Sequence, residues 1–237
     1  MEVHATGDAP HAIVVDEDVL KRIWGHAEAF AGPPSATLSC VDGVERKFAS
    51  IHDLIGYENP KRSEARTIEI YARDSKSSRS VSITIGTTWG RRASVSLRGE
   101  EQDVSAARTK ILDSFAGMRP WYSPMATMDL WIFWMIALGA LWLLATTMAP
   151  TRAPEHDGRS LKEALRVIAS GLVVVLPAFV LVWLVGALRS SCFPMVSMAF
   201  GQGLRRYQVK DQVRWAVIVA LVVGIAGSVI YGAFSGT

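Results

Sequence analysis

Two hydrophobic rhythms follow one another along this chain, and the change falls near residue 129. In the first half the periods are short. Val19, Leu20, Ile23, Trp24, Ala27 and Phe30 recur at helical spacing behind the acidic turn Asp16-Glu17-Asp18, and Gly32-Pro33-Pro34 ends the run. Thr37 to Val41 and Val44 to Phe48 flank Asp42-Gly43, a strong hairpin signal. Ser50 is placed to cap a short helix through Ile51, Leu54 and Ile55. Then Ile68, Ile70 and Ala72, Val81, Ile83 and Ile85, and Ala93, Val95 and Leu97 each alternate with polar neighbours. A period of two predicts half-buried antiparallel strands with one solvated face. A last helix uses Val104, Ala107, Ile111, Leu112, Phe115 and Met118. The predicted order is α-β-β-α-β-β-β-α, an α+β soluble domain with an antiparallel sheet and flanking helices.

The second half changes character. Leu130–Thr151, Val167–Leu188 and Trp215–Thr237 contain no charged side chain. Each is long enough to cross a ~30 Å hydrocarbon core as a helix. The expectation is a membrane protein with spans at about 130–151, 167–188 and 215–236. Residues 1–120 would form a cytosolic sensing domain, 121–128 a short linker stiffened by Pro124, and 129–237 an all-α three-helix transmembrane region. On the side of the N-terminal domain stand Lys110, Arg119, Arg189, Arg205, Arg206, Lys210 and Arg214, against Arg152, Arg159, Lys162 and Arg166 on the other. That bias places the N-terminal domain in the cytoplasm and the C-terminus outside, in the inner membrane. No export segment is visible at the N-terminus, which points the same way.

Within the third stretch small residues recur at every fourth position: Ala216, Ala220, Gly224, Ser228, Gly232 and Gly236. Such a face packs closely against another helix, within one subunit or between copies. Pro177 would kink the second span, either as a hinge in a gate or as plain packing geometry. No span has an ionisable residue at its centre, which argues against a proton-coupled transporter. Three helices cannot enclose a pore, so a channel would be a homo-oligomer. Ser191–Lys210 is too apolar for a plain loop, and Gly201 and Gly203 suggest a bend there.

Charge adds a candidate site. The chain has a formal charge of +3 and a mean hydropathy of +0.23. From Lys61 to Arg98 nine residues are basic and three acidic. Arg73, Lys76, Arg79, Arg91 and Arg92 are the candidate phosphate contacts, with Trp89 as a stacking platform for a base. The competing reading is an ordinary solvated face drawn to anionic lipid. No metal-binding, phosphate-loop or nucleophile-elbow motif occurs, so neither a catalytic residue, a metal site nor a cofactor is expected. Cys40 and Cys192 lie in different halves, and no intrachain disulfide is expected.

A compact α+β domain with a basic strand region, a short link and three uncharged stretches resembles the membrane effectors of bacterial anti-phage defence. In outline it is most similar to the channel effectors of Hailong systems. The resemblance implies an antiviral ion channel assembled from several copies and held closed by single-stranded DNA oligomers from a partner nucleotidyltransferase. The alternative is a membrane-anchored adaptor without pore activity; a membrane enzyme with an unrecognised site is a third class.

Overall fold

The computed structural model describes residues 1–74, 78–88, 91–127 and 191–235, with single helical positions at 134, 139, 180, 183, 186, 187, 189 and 190. The chain forms two compact units, Met1–Thr127 joined by Cys192–Thr237, and Met128–Ser191. The sheet and its helices belong to the first.

Six strands make one antiparallel sheet: β1 (Glu2–Ala9), β3 (Ser35–Cys40), β4 (Glu45–Phe48), β5 (Ala65–Arg73), β6 (Ser80–Thr88) and β7 (Arg91–Glu100). Their spatial order is β1-β7-β6-β5-β3-β4. The alternation read from the sequence holds: Ile68, Ile70, Ala72, Val81, Ile83, Ile85, Val95 and Leu97 are buried. Each large aliphatic among them contributes about 1.5–3 kcal/mol through burial. Helices α1 (Glu17–Ala31) and α3 (Glu101–Gly117) cover that face. Asp16 caps α1 by accepting from the Val19 amide at 2.7 Å, and Gly32 ends it at φ 80°. Ser50 caps α2 (Ile51–Ile55) through the His52 amide at 3.2 Å.

β1 is an edge strand that the apolar pattern does not announce. Its inward positions are Val3, Ala5, Gly7 and Ala9, too small to stand out in hydropathy. A Cβ at Gly7 would lie 2.9 Å from Leu112 of α3. Small residues are therefore what lets α3 settle over this strand.

The chain then returns to the domain. β2 (Ile13–Val15) pairs in parallel with β8 (Val196–Met198). The Ile13 amide donates to Met195 O at 2.9 Å and the Ala199 amide to Val15 O at 2.7 Å. Helix α5 (Gln202–Ser235) follows directly. Asn59, fully buried and at φ 51°, knits this junction. Its Oδ1 accepts from the Ala65 amide at 2.9 Å and its Nδ2 donates to Met198 O at 3.4 Å. Its carbonyl accepts from Arg206 Nη2 at 2.9 Å. Gly201 sits at φ 53°, and a Cβ there would come 2.6 Å from Glu58 O. A Cβ on Gly203 would collide with Met198 O. The bend expected from these glycines is thus a close crossing of two backbones.

Further along α5, Arg214 is buried beside α4 (Ser123–Thr127). Its guanidinium carbon lies 4.1 Å from the Tyr122 ring centroid and 5.4 Å from that of Tyr207. It donates to Cys192 O and pairs with Asp211 at 3.2 Å. Trp121 stacks on Trp215, centroids 5.2 Å apart. Burial pushes the Tyr122 and Tyr207 hydroxyls above their ordinary pKa.

The membrane expectation does not hold. Among the described residues no helix is long and apolar enough to cross a membrane. That overturns the three-helix transmembrane region, the membrane and ion-channel description, and the multi-pass inner-membrane placement with its cytoplasmic N-terminus and external C-terminus. The third stretch continues a helix whose first half carries Arg205, Arg206, Lys210, Asp211 and Arg214 and docks on the sheet domain. The stretches at 130–151 and 167–188, with Pro177, lie outside the described residues apart from the scattered positions above.

Asn59 makes a direct test of this junction. Asn59→Ala should destabilise the chain by about 1–3 kcal/mol, because the buried Ala65 amide loses its acceptor. Asn59→Gly should recover only the part due to the left-handed backbone, about 1 kcal/mol. Urea unfolding of the three proteins checks both values.

Candidate anion-binding cleft

The register of the sheet decides which candidate residues can act together. Arg73 pairs with Ser80 at one end of β6, whereas Thr88 pairs with Arg91 at the other. At about 3.3 Å per residue the two ends are roughly 26 Å apart. Arg73 and Arg79 therefore belong to one end, and Arg91 and Arg92 to the opposite end. They do not form a single site. Lys76 and Trp89 lie outside the described residues, as does the side chain of Arg91.

At the first end Arg73 is exposed. Arg79 is ion-paired with Asp103 in the first turn of α3, so its charge is locally answered. Arg79 and Asp103 line a small cavity of about 170 Å³ with His26, Phe30 and Lys110. Burial, then the charges of Lys110 and Arg22, hold His26 below its ordinary pKa.

At the other end the structure brings in residues remote in sequence. Arg92, half-buried, donates from Nη2 to Met195 Sδ at 3.5 Å. Next to Met195, two adjoining clefts of about 320 and 610 Å³ lie where α5 meets the start of β5. Between them they are lined by Lys61, Arg66, Arg205, Arg206 and Lys210, with Glu64 as the acidic residue. A single helical turn, Lys61–Ser63, presents Lys61. On α5 the lining residues are Gln202, Arg205, Arg206, Val209 and Lys210, spaced as one face of a helix. Arg206 and Lys210, four apart, repel one another across a turn.

Arg206 is the fixed point of this charge. Its Nη2 is held by Asn59 O, and Glu64 Oε1 approaches at 3.5 Å. Its Nε is buried with no acceptor among the described residues. A guanidinium oriented by a backbone carbonyl suits an oxyanion such as a phosphate or a carboxylate. Tyr207 adds an aromatic wall. Among the described residues no group of three His, Cys, Asp or Glu could hold a metal ion.

Sequence reasoning reached this cleft only in part. Lys61 and Arg66 counted toward the basic segment but were not chosen as contacts. Arg205, Arg206 and Lys210 counted only toward membrane orientation. The usable signal was the helical spacing from Gln202 to Lys210; what no linear reading supplies is that this face meets residues 61–66. Of the small-residue stripe, Ala216, Ala220, Gly224 and Ser228 are exposed on α5, and nothing described lies within 4 Å of a Cβ placed at Gly224. Gly232 falls in the same helix.

Comparison with protein-family models, with curated proteins and with solved structures finds no match.

His26 gives a pH test of the α1–α3 contact. Its folded pKa is below the unfolded value near 6.5. The unfolded chain therefore takes the proton first, and stability should fall as pH drops below about 6.5. Above that pH the imidazole is neutral in both states and contributes no slope. His26→Gln should flatten this part of the profile, read as Tm between pH 5 and 7.5.

Proposed function

We propose that this chain is a binding module for a phosphate-bearing chain, with a single-stranded DNA oligomer as the ligand class and the cleft between β5 and α5 as its seat. The observation that supports the reading is the convergence of five Lys and Arg side chains, from residues 61–66 and 205–210, around one carboxylate. The two cavities adjoin, so successive phosphates of an extended ligand could each meet a cation. Arg206 would supply the oriented donor, with Lys61, Arg66, Arg205 and Lys210 as point charges along the backbone. Arg92 lies next along the same edge, beside Met195. This is the ligand class that the resemblance to anti-phage effectors implies. The gated pore of that resemblance is no part of the reading, because it required spans that the described helices do not provide.

Binding of a fluorescent 12-nucleotide single strand, followed by polarisation, tests the assignment. The logarithm of affinity should fall linearly with the logarithm of salt concentration, with a slope of about −0.7 per phosphate neutralised. Lys210→Gln and Arg66→Gln should each weaken binding and reduce the slope by about that amount. Arg73→Gln, at the far end of the sheet, should change neither. Absence of binding at low salt, or equal effects of Arg73→Gln and Lys210→Gln, would remove the cleft from the function.

A further inference from the structure

The cleft has two walls of different standing. Lys61, Glu64 and Arg66 belong to the sheet domain. Arg205, Arg206 and Lys210 belong to a segment that returns after residues 128–191 and docks on it. The contacts that hold this segment are a three-residue parallel pairing, the burial of Met198 and Phe200 in the core, the Asn59 junction, and Arg214 between two tyrosines. Against them, docking brings three cations of α5 up to Lys61 and Arg66, with one carboxylate among them. Like charges gathered in a groove disfavour the closed arrangement unless an anion fills it.

We infer that the ligand of this cleft is also the clamp of the fold: anion occupancy and docking of residues 192–214 on the sheet domain are one coupled equilibrium. The inference rests on the cleft being an anion site and adds how that site is regulated. A ligand that touches both walls binds only the docked form, so it stabilises docking by mass action. Reciprocally, anything that loosens docking weakens the ligand by the same factor. Release of the ligand lowers the cost of undocking residues 192–214.

Amide hydrogen exchange on the full chain, with and without the 12-nucleotide single strand, tests this. The reporting amides are Ile13, Ala199 and Gln202, bonded to Met195 O, Val15 O and Glu58 O. Without ligand they should exchange faster than the Ile70 and Ile83 amides of the β5–β6 ladder, because docking opens separately from the sheet. At a ligand concentration 100 times Kd they should slow about 100-fold. Equal rates without ligand would overturn the inference. So would unchanged rates at the three reporters in the presence of measured binding, which leaves the anion site standing. No binding at all would remove the site and the coupling together.

A charge-neutral variant gives a second arm. Gly203→Ala sets a methyl against Met198 O and Asn59 Nδ2 and alters no charge in the cleft. It should raise Kd about 10-fold, within the usual range of coupling between sites, while the far-UV spectrum and the ladder amides report an intact sheet. Wild-type affinity in Gly203→Ala would mean that a patch of charge, not a docked cleft, binds the ligand.

Discussion

A single buried amide, Asn59, ties the start of β5 to the segment Met198–Arg206 that docks beside it. A polar side chain without solvent must satisfy its donors and acceptors within the protein, and leaving one unmet costs about 1–3 kcal/mol. Asn59 meets that demand by reaching three segments at once, the start of β5, the end of β8 and the first turns of α5. Its left-handed backbone is one that asparagine tolerates better than most residues. The consequences are concrete. Gly201 and Gly203 have to be glycine because the backbone they carry passes against residues 57–59 and Met198. Arg206 has to point where it does because the Asn59 carbonyl holds it. The cleft is therefore a by-product of satisfying one amide.

Arg214 is the second anchor and works by different physics. Burying a guanidinium is expensive unless its charge is answered. Here the answer is distributed: a carboxylate at 3.2 Å, the Cys192 carbonyl, and the faces of Tyr122 and Tyr207. A planar, weakly hydrated cation can be sandwiched in this way, and a lysine cannot replace it without losing the stacking. Elsewhere, cations that look available in sequence turn out to be paired. Arg46 meets Asp42, Arg79 meets Asp103 and Arg98 meets Glu2. The positive excess survives where α5 crosses β5, and that contrast, more than the total charge, distinguishes the cleft from an ordinary solvated face.

The sheet domain was legible because its signals are local. Alternation named β5, β6 and β7, Asp42-Gly43 named the β3–β4 hairpin, and Asp16 and Ser50 named the starts of α1 and α2. β1 was hidden because its inward residues are small, for a reason that lies across the fold in Leu112. The candidate site was half legible. Arg91 and Arg92 belong to the sheet end that adjoins the cleft, whereas Arg73 and Arg79 belong to the other. In the linear chain these groups are neighbours; antiparallel register sends them roughly 26 Å apart. The same folding brings Lys61 beside Lys210, a pairing that depends on Asn59 and has no signature in either segment. The uncharged third stretch and its charged prefix belong to the single helix Gln202–Ser235, a continuity that neither segment shows by itself.

That continuity also bears on the small-residue stripe. A helix turns about 100° per residue, so positions eighteen apart face the same way. The docked stripe of α5 is Gln202, Arg206, Lys210 and Arg214, and Arg214 is fully buried. Ala220, Gly224 and Ser228 stand eighteen residues, five full turns, beyond Gln202, Arg206 and Lys210, so the stripe runs along the cleft-facing side of the helix and is not opposed to it. The stripe is therefore the continuation, past the seated turns, of the side of α5 that lines the cleft, and Ala216, Ala220, Gly224 and Ser228 are exposed there.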